Sequence, residues 1–328
     1  MNGYTELEMQ LLNDFQHNFP LVSRPFAHIA DRLQVSENSV LTHLWRLRTL
    51  GAVSRVGPVF SPGCIGASTL AALAVPQAQV EPMAEWISGL PEVNHNYQRE
   101  HDYNLWFVVT AANEIHLQQV LDRIARHSHW PMLTLPLLER FHIDLGFDLN
   151  GVGRRPCTLG SSDRVQLDDG QVSLVAALQC GIPLVAEPFA EIGARLDMAE
   201  TDVLQQIACW QEQGVIKRFG VVVRHHELGW CENAMAVWDV PDELASAAGK
   251  LAAQQSGVTL CYRRARQLPE WTYNLYVMVH GMQRDVVLRQ VAALAKNCGM
   301  DAYPSRILFN VRRFKQHGAR YVNEAHHG

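Results

Sequence analysis

The chain has 328 residues, 48% hydrophobic and 19% charged, with a formal net charge of −5. It is too long for one small core, so two to four compact globular units are expected. The acidic balance gives no global attraction to nucleic acid or to an anionic membrane surface, and no apolar run reaches the roughly 20 residues of a membrane helix.

In chain order, "TELEMQLLNDFQHNF" and "PFAHIADRL" carry apolar residues at helical spacing, and Pro25 suits a helix start. "SENSVLTHLWRLRTLG" follows, with Ser36 as N-cap and Gly51 as the C-terminal stop. "VSRVGPVF" is rich in β-formers, so residues 1–60 read as a winged helix-turn-helix. Residues 61–150 then run strand "STLAALAVP", helix "QVEPMAEWISGLP", strand "VNHNYQRE", strand "YNLWFVVTA", helix "NEIHLQQVLDRIARHS" and strand "MLTLPLLERFHID". That βαββαβ order is the ferredoxin-like plan. Residues 151–167, rich in Gly, Ser, Asp and Pro, read as a linker. The polar start "MNGYTELEMQ" has no signal-peptide h-region, so a cytoplasmic location is expected. Seven scattered cysteines without a C-x-x-C pair point to neither a disulfide framework nor a zinc ribbon.

The plan repeats. "RPFAHIADRLQVSENSVLTHLWRLRTLGAVSRVG" at 24–57 aligns without a gap to "EPFAEIGARLDMAETDVLQQIACWQEQGVIKRFG" at 187–220. Val93, Tyr97 and Arg99 match Val258, Tyr262 and Arg264, and "YNLWFVV" at 103–109 matches "YNLYVMV" at 273–279. "LPLLERFHI" at 135–143 is set against "YPSRILFNV" at 303–311. A second helix-turn-helix is therefore expected over 168–225 and a second ferredoxin-like domain over 226–328. The fold class is α+β, a tandem of the two-domain unit.

A DNA-reading helix needs exposed cations and amides at its start. From Leu196 to Ile216 there is no Lys or Arg, while Asp197, Glu200, Asp202 and Glu212 are acidic. The first-half helix places Arg46 and Arg48 at its C-terminal end. These helices read as scaffold and dimerisation elements.

The strand "VNHNYQREHDYNLW" is the unusual one. Alternation places Val93, His95, Tyr97, Arg99 and His101 on one face, gathering two imidazoles, a phenol and a guanidinium. The second half keeps Tyr262 and Arg264 but has Leu260 at the position of His95 and nothing matching His101. "FHIDLGFDL" adds His142, with a structural role at a strand end, and Asp144.

A winged helix followed by a ferredoxin-like domain resembles the Lrp/AsnC family of regulators. "HNYQREHDYNLWF" followed by "LPLLERFHIDLGFDL" resembles the siroheme decarboxylases, Lrp/AsnC-like enzymes of haem d1 and alternative haem biosynthesis. The resemblance implies that two subunits, usually separate, are fused here and pair as a pseudo-dimer, with one catalytic centre in the first half. It implies loss of the carboxyl groups from the C12 and C18 acetates of siroheme, giving 12,18-didecarboxysiroheme and CO2. No organic cofactor is expected, since the electron-accepting macrocycle is itself the substrate, and no metal beyond its iron.

In that setting His95 and His101 are the expected proton donor and acetate-polarising group, and either is a possible iron ligand. Arg99 suits carboxylate anchoring because a guanidinium binds carboxylate bidentately. Tyr97 and Tyr103 are expected against the substrate, with Arg263 and Arg264 of the second half on other carboxylates and Arg55 and Arg218 as weaker candidates. The alternatives are a DNA-binding regulator sensing a haem or amino-acid effector and a non-catalytic tetrapyrrole carrier.

Overall fold

The computed structural model describes residues 4–61, 63–143, 165–223, 232–281 and 283–321. Helices α1 (Glu6–Asp14), α2 (Pro25–Leu33) and α3 (Glu37–Thr49) lead to strand β1 (Val53–Phe60). Then come β2 (Ala67–Leu73), α4 (Val80–Gly89), β3 (Val93–Arg99), β4 (Leu105–Ala111), α5 (Glu114–Ser128) and β5 (Met132–Ile143). The second half repeats this order. Its helical unit is α6 (Asp169–Gln179), α7 (Pro188–Leu196), α8 (Glu200–Glu212) and β6 (Ile216–Val223). Its sheet unit is β7 (Glu232–Trp238), α9 (Asp242–Ala252), β8 (Val258–Arg264), β9 (Leu275–Gly281), α10 (Arg284–Asn297) and β10 (Ser305–Gln316).

Local chemistry sets the helix starts. Thr5 and Glu8 form a reciprocal capping box on α1, the Ser39 N–H donates to Ser36 Oγ at 3.2 Å, and Pro25 and Pro188 open α2 and α7. The strand expected as a wing in each helical unit is shared between the units: β1 and β6 pair antiparallel, Gly57 opposite Gly220. One buried core joins both units, with Phe26, Ile29 and Leu44 packed in the same cluster as Phe189, Ile192 and Trp210.

The remaining strands close into an antiparallel barrel in the order β10-β3-β4-β2-β5-β8-β9-β7. Each half contributes a ferredoxin-like sheet, and two seams join them, β3 to β10 and β5 to β8. Helices cover the outside: Ile87 of α4 and Ile124 of α5 pack with Phe107 and Val109, and Ala245 of α9 and Leu294 of α10 pack with Val277 and Val279. The inner face has its own core from both halves, including Leu70, Trp106, Leu135, Met235, Trp271, Tyr276 and Leu308. Burial of each large side chain there contributes on the order of 2–3 kcal/mol, so the barrel interior is itself the glue between the halves.

The closed barrel corrects one piece of the repeat. Arg99 donates to the Leu308 carbonyl at 3.0 Å and Arg264 to the Leu135 carbonyl at 2.9 Å, so Leu135 is equivalent to Leu308, not to Tyr303. The same register makes Arg140 the counterpart of Arg313 and His142 that of Lys315. The five-residue shift in register has no signature in a pair of β-rich segments that align in more than one register.

Most of the linker expected over 151–167 lies outside the described residues, as does Asp144. Among the described residues no helix is long and apolar enough to cross a membrane.

Candidate active site in the barrel wall

A β-bulge decides which side chains of β3 face inward. Val93 pairs with Val109, but the register shifts before His95 pairs with Val108. Val93 packs on the helix side, and Asn96 follows it outward, its Nδ2 donating to the Ala84 carbonyl at 3.0 Å and to Ser88 Oγ at 3.1 Å. His95, Tyr97 and Arg99 therefore face the interior without Val93, which corrects the simple alternation. Their order along the wall is direct: the His95 and Tyr97 rings meet edge-on at 6.2 Å, and Arg99 Cζ lies 5.6 Å from the Tyr97 ring.

The second half completes this wall. Arg313 of β10 lies opposite Tyr97 in the ladder. Arg99 also approaches Asn233 Oδ1 at 3.5 Å, Asn233 Nδ2 lies 3.1 Å from His280 Nε2, and His280 Nδ1 lies 3.0 Å from Thr259 Oγ1. Arg313, Asn233 and His280 were not anticipated, because only the closure of the barrel brings them beside β3.

The electrostatics are those of a buried cationic site. Burial lowers Arg99 to about 10, against the opposing pull of Tyr97. Among the described residues no carboxylate pairs with Arg99, and a buried cation without a counter-ion is costly. An anionic guest would offset that cost. Burial lowers His95 to about 4, helped by the nearby His317 and opposed by a hydrogen bond to the His317 backbone. The His317 N–H in turn donates to the Asn94 carbonyl at 2.8 Å, pinning the chain beyond β10 across this end of β3. Burial raises the Tyr97 hydroxyl pKa, with Arg99 and Arg313 pulling it back.

His101 lies apart. It sits in the turn beyond the other end of β3, and the structure does not bring it to His95. Its Nδ1 accepts the Tyr103 N–H at 3.0 Å, so the ring proton of the neutral form sits on Nε2. Its ring stacks with Tyr103 at 6.2 Å and meets the edge of Trp271 at 5.3 Å, and burial lowers its pKa. Trp271 precedes Tyr273 by two residues, as His101 precedes Tyr103. The second half thus places an indole where the first has an imidazole, its Nε1 donating to Tyr276 Oη at 2.6 Å.

The remaining candidates scatter. Arg264 faces inward but at the other seam, 5.4 Å from the Tyr262 ring. Arg263, one residue earlier, points outward and pairs with Asp242 at the start of α9 at 2.9 Å, which corrects its assignment to the interior. Arg55 is held by the helical units, donating to the Pro58 carbonyl at 2.9 Å, and its guanidinium lies against Gly318, the residue after His317. Arg218 is buried in the helical pair, bonded to the Gln16 carbonyl at 2.7 Å. His142 is buried opposite Cys261 in the β5–β8 ladder, a structural position. No group of three or more His, Cys, Asp or Glu among the described residues is arranged to hold a metal ion.

Fold and site together define a fused pair of helix-turn-helix and AsnC-type units with a cationic, histidine-bearing row on the inner wall of a shared barrel. The model of the siroheme decarboxylase NirDL-like helix-turn-helix domain matches residues 8–53 and 172–217, and that of the AsnC-like ligand binding domain matches 65–142 and 227–315. The chain is 42% identical to a siroheme decarboxylase NirDL subunit from Paracoccus pantotrophus, covering 96% of this chain and 97% of that one. A siroheme decarboxylase NirD subunit from Stutzerimonas stutzeri is 47% identical over 44% of this chain and 94% of its own length, as expected if one half corresponds to one subunit. The crystal structure of the siroheme decarboxylase NirDL in co-complex with an iron-uroporphyrin III analogue aligns with a TM-score of 0.71 at 26% identity, covering 97% of this chain and 94% of that one. This chain belongs to the siroheme decarboxylase family, in its fused two-subunit form.

Proposed function

We propose that this chain is a carboxy-lyase that removes the carboxyl groups of the C12 and C18 acetates of siroheme, giving 12,18-didecarboxysiroheme and two CO2. The observation that carries the reading is the inward row His95–Tyr97–Arg99, completed by Arg313, in which a buried guanidinium lacks a carboxylate among the described residues. Such a wall suits a flat guest with carboxylates around its rim.

The chemistry follows from the groups present. Arg99 and Arg313 hold carboxylates of the macrocycle, and Tyr97 packs between them and His95. When the C–C bond to the departing carboxylate breaks, its electron pair remains on the methylene and spreads into the macrocycle. His95 then delivers a proton to that carbon, and CO2 leaves. A neutral imidazole with a pKa near 4 is by itself a poor acid at neutral pH. The carboxylates of a bound substrate favour the charged form, so binding itself raises His95 toward the working pH. His101, fixed with its proton on Nε2, serves at the far end of the same wall, orienting the macrocycle with Tyr103.

The helical units support no DNA-reading alternative. Arg46 pairs with buried Glu8, Arg24 pairs with Glu37 at 2.5 Å, and Glu200 at the start of α8 accepts from Ser23 Oγ at 3.0 Å. Arg24 and Arg46 are thus paired with carboxylates of this chain, and the second recognition helix is acidic, which repels phosphate. Anaerobic incubation with siroheme, read by product mass, tests the proposal. Two losses of CO2 are expected; binding without a mass change would leave a carrier instead.

A further inference from the structure

We infer that the barrel holds a second binding site for a carboxylated tetrapyrrole, at the β5–β8 seam, which binds without turning over. The inference rests on the decarboxylase reading for its ligand class and on the twofold repeat for its geometry.

The anion-binding parts of the first site recur at the second seam. Arg264 Cζ lies 5.4 Å from the Tyr262 ring, as Arg99 Cζ lies 5.6 Å from Tyr97. Arg264 is braced on the Leu135 carbonyl as Arg99 is braced on that of Leu308. Arg140 stands opposite Tyr262 in the ladder as Arg313 stands opposite Tyr97. The two guanidinium groups are braced on different members of the buried inner core, so they belong to separate walls.

What changes is the acid. Leu260 occupies the place of His95, Trp271 that of His101, and Thr110, bonded to Ser68 Oγ at 3.1 Å, that of His280. Losing catalysis alone explains the loss of the imidazole but not the retention of the arginine. A guanidinium in a barrel wall, with no carboxylate partner among the described residues, is costly scaffold and would be replaced at little loss by an apolar side chain. Its retention is accounted for by an anionic guest. Tyr262 and Tyr97 are alike half-buried, and of the two guanidinium groups Arg264 is the more exposed. An apolar Leu260 beside the Tyr262 phenol and the Arg264 guanidinium fits a macrocycle edge bearing an acetate or propionate group.

The test is an anaerobic titration of the full-length chain with iron uroporphyrin III, with bound porphyrin per chain counted after gel filtration. Two equivalents are expected, falling to one in Arg264→Gln and to one in Arg99→Gln. One equivalent in the unaltered chain, or an Arg264→Gln stoichiometry that stays at two, would overturn the inference. If Arg264→Gln does not fold, Leu260→Trp, which fills the same pocket, takes its place. Siroheme turnover by the unaltered chain separates the two readings. Two equivalents without CO2 sink the decarboxylase reading alone, and CO2 release with one equivalent sinks the second site alone.

Discussion

Arg313, on the last strand of the second half, stands directly across the β3–β10 ladder from Tyr97 of the first. The pocket is therefore complete only when the two halves close on each other. Fusion of two subunits in one chain keeps that seam at a high effective concentration.

Arg313→Ala is expected to raise KM for siroheme roughly 10- to 100-fold, the loss of one or two charge-assisted hydrogen bonds, with a smaller effect on kcat. Arg313→Lys should recover only part of it, because an ammonium cannot reproduce the bidentate fork. Steady-state kinetics under anaerobic conditions decide the matter, and an unchanged KM in Arg313→Ala would remove β10 from the site.

His95→Ala is expected to lower kcat about 10²- to 10⁴-fold with the fold intact, the usual contribution of a positioned acid. His101→Ala should act mainly on KM. The free His95 ring is expected to titrate near 4, because burial disfavours its charged form. Bound carboxylates favour that form, so the value must rise when iron uroporphyrin III binds. NMR titration of the ring with and without the ligand reads the shift, and a value that stays low in the complex would exclude His95 as the acid.

Much of this was legible in the sequence, and the rest fails for identifiable reasons. The helix starts at Thr5, Ser36, Pro25 and Pro188, the βαββαβ order and the repeat are local features with strong signals. The inward row His95–Tyr97–Arg99 was also readable, but Val93 was not separable from it, because nothing in "VNHN" announces a bulge. Arg313, Asn233 and His280 reach the site through pairing between strands about 130 to 220 residues apart, a distance at which periodicity carries no information. Arg263 and Arg264 looked alike as a dipeptide, yet strand alternation sends one to Asp242 and the other to the interior.

Glu8 gives a prediction on stability. Its burial alone would raise its pKa, but hydrogen bonds from Arg46, the Thr5 backbone and His43 outweigh that and hold it at about 2. A carboxylate depressed in the folded state contributes stability that is fully present above its unfolded pKa of about 4.5 and is lost as pH falls through about 2. Glu8→Gln should cost about 2 kcal/mol at neutral pH, given that Arg46 is half exposed and screened. Urea midpoints should show the gap narrowing between pH 4.5 and 2; a gap that persists at the acid end would mean that packing, and not charge, is responsible.

Gly249 tests the contact between the halves on the helix-covered side of the β5–β8 seam. It lies on α9 of the second half, where a Cβ would run into the Phe141 ring on β5 of the first. Neither ring nor helix has room to retreat, since Phe141 sits in the same buried cluster as Ala245, Ala248 and Cys261. Gly249→Ala is therefore expected to destabilise the chain by about 1–3 kcal/mol, the range for overpacking a filled core, despite the gain in helix propensity. Phe141→Leu alone should also destabilise, by opening space beside a glycine. Combined, the two substitutions should cost less than the sum of their separate effects, because the smaller side chain makes room for the added methyl. Urea denaturation of the four proteins measures the coupling, and strict additivity would show that α9 and β5 do not meet at this point.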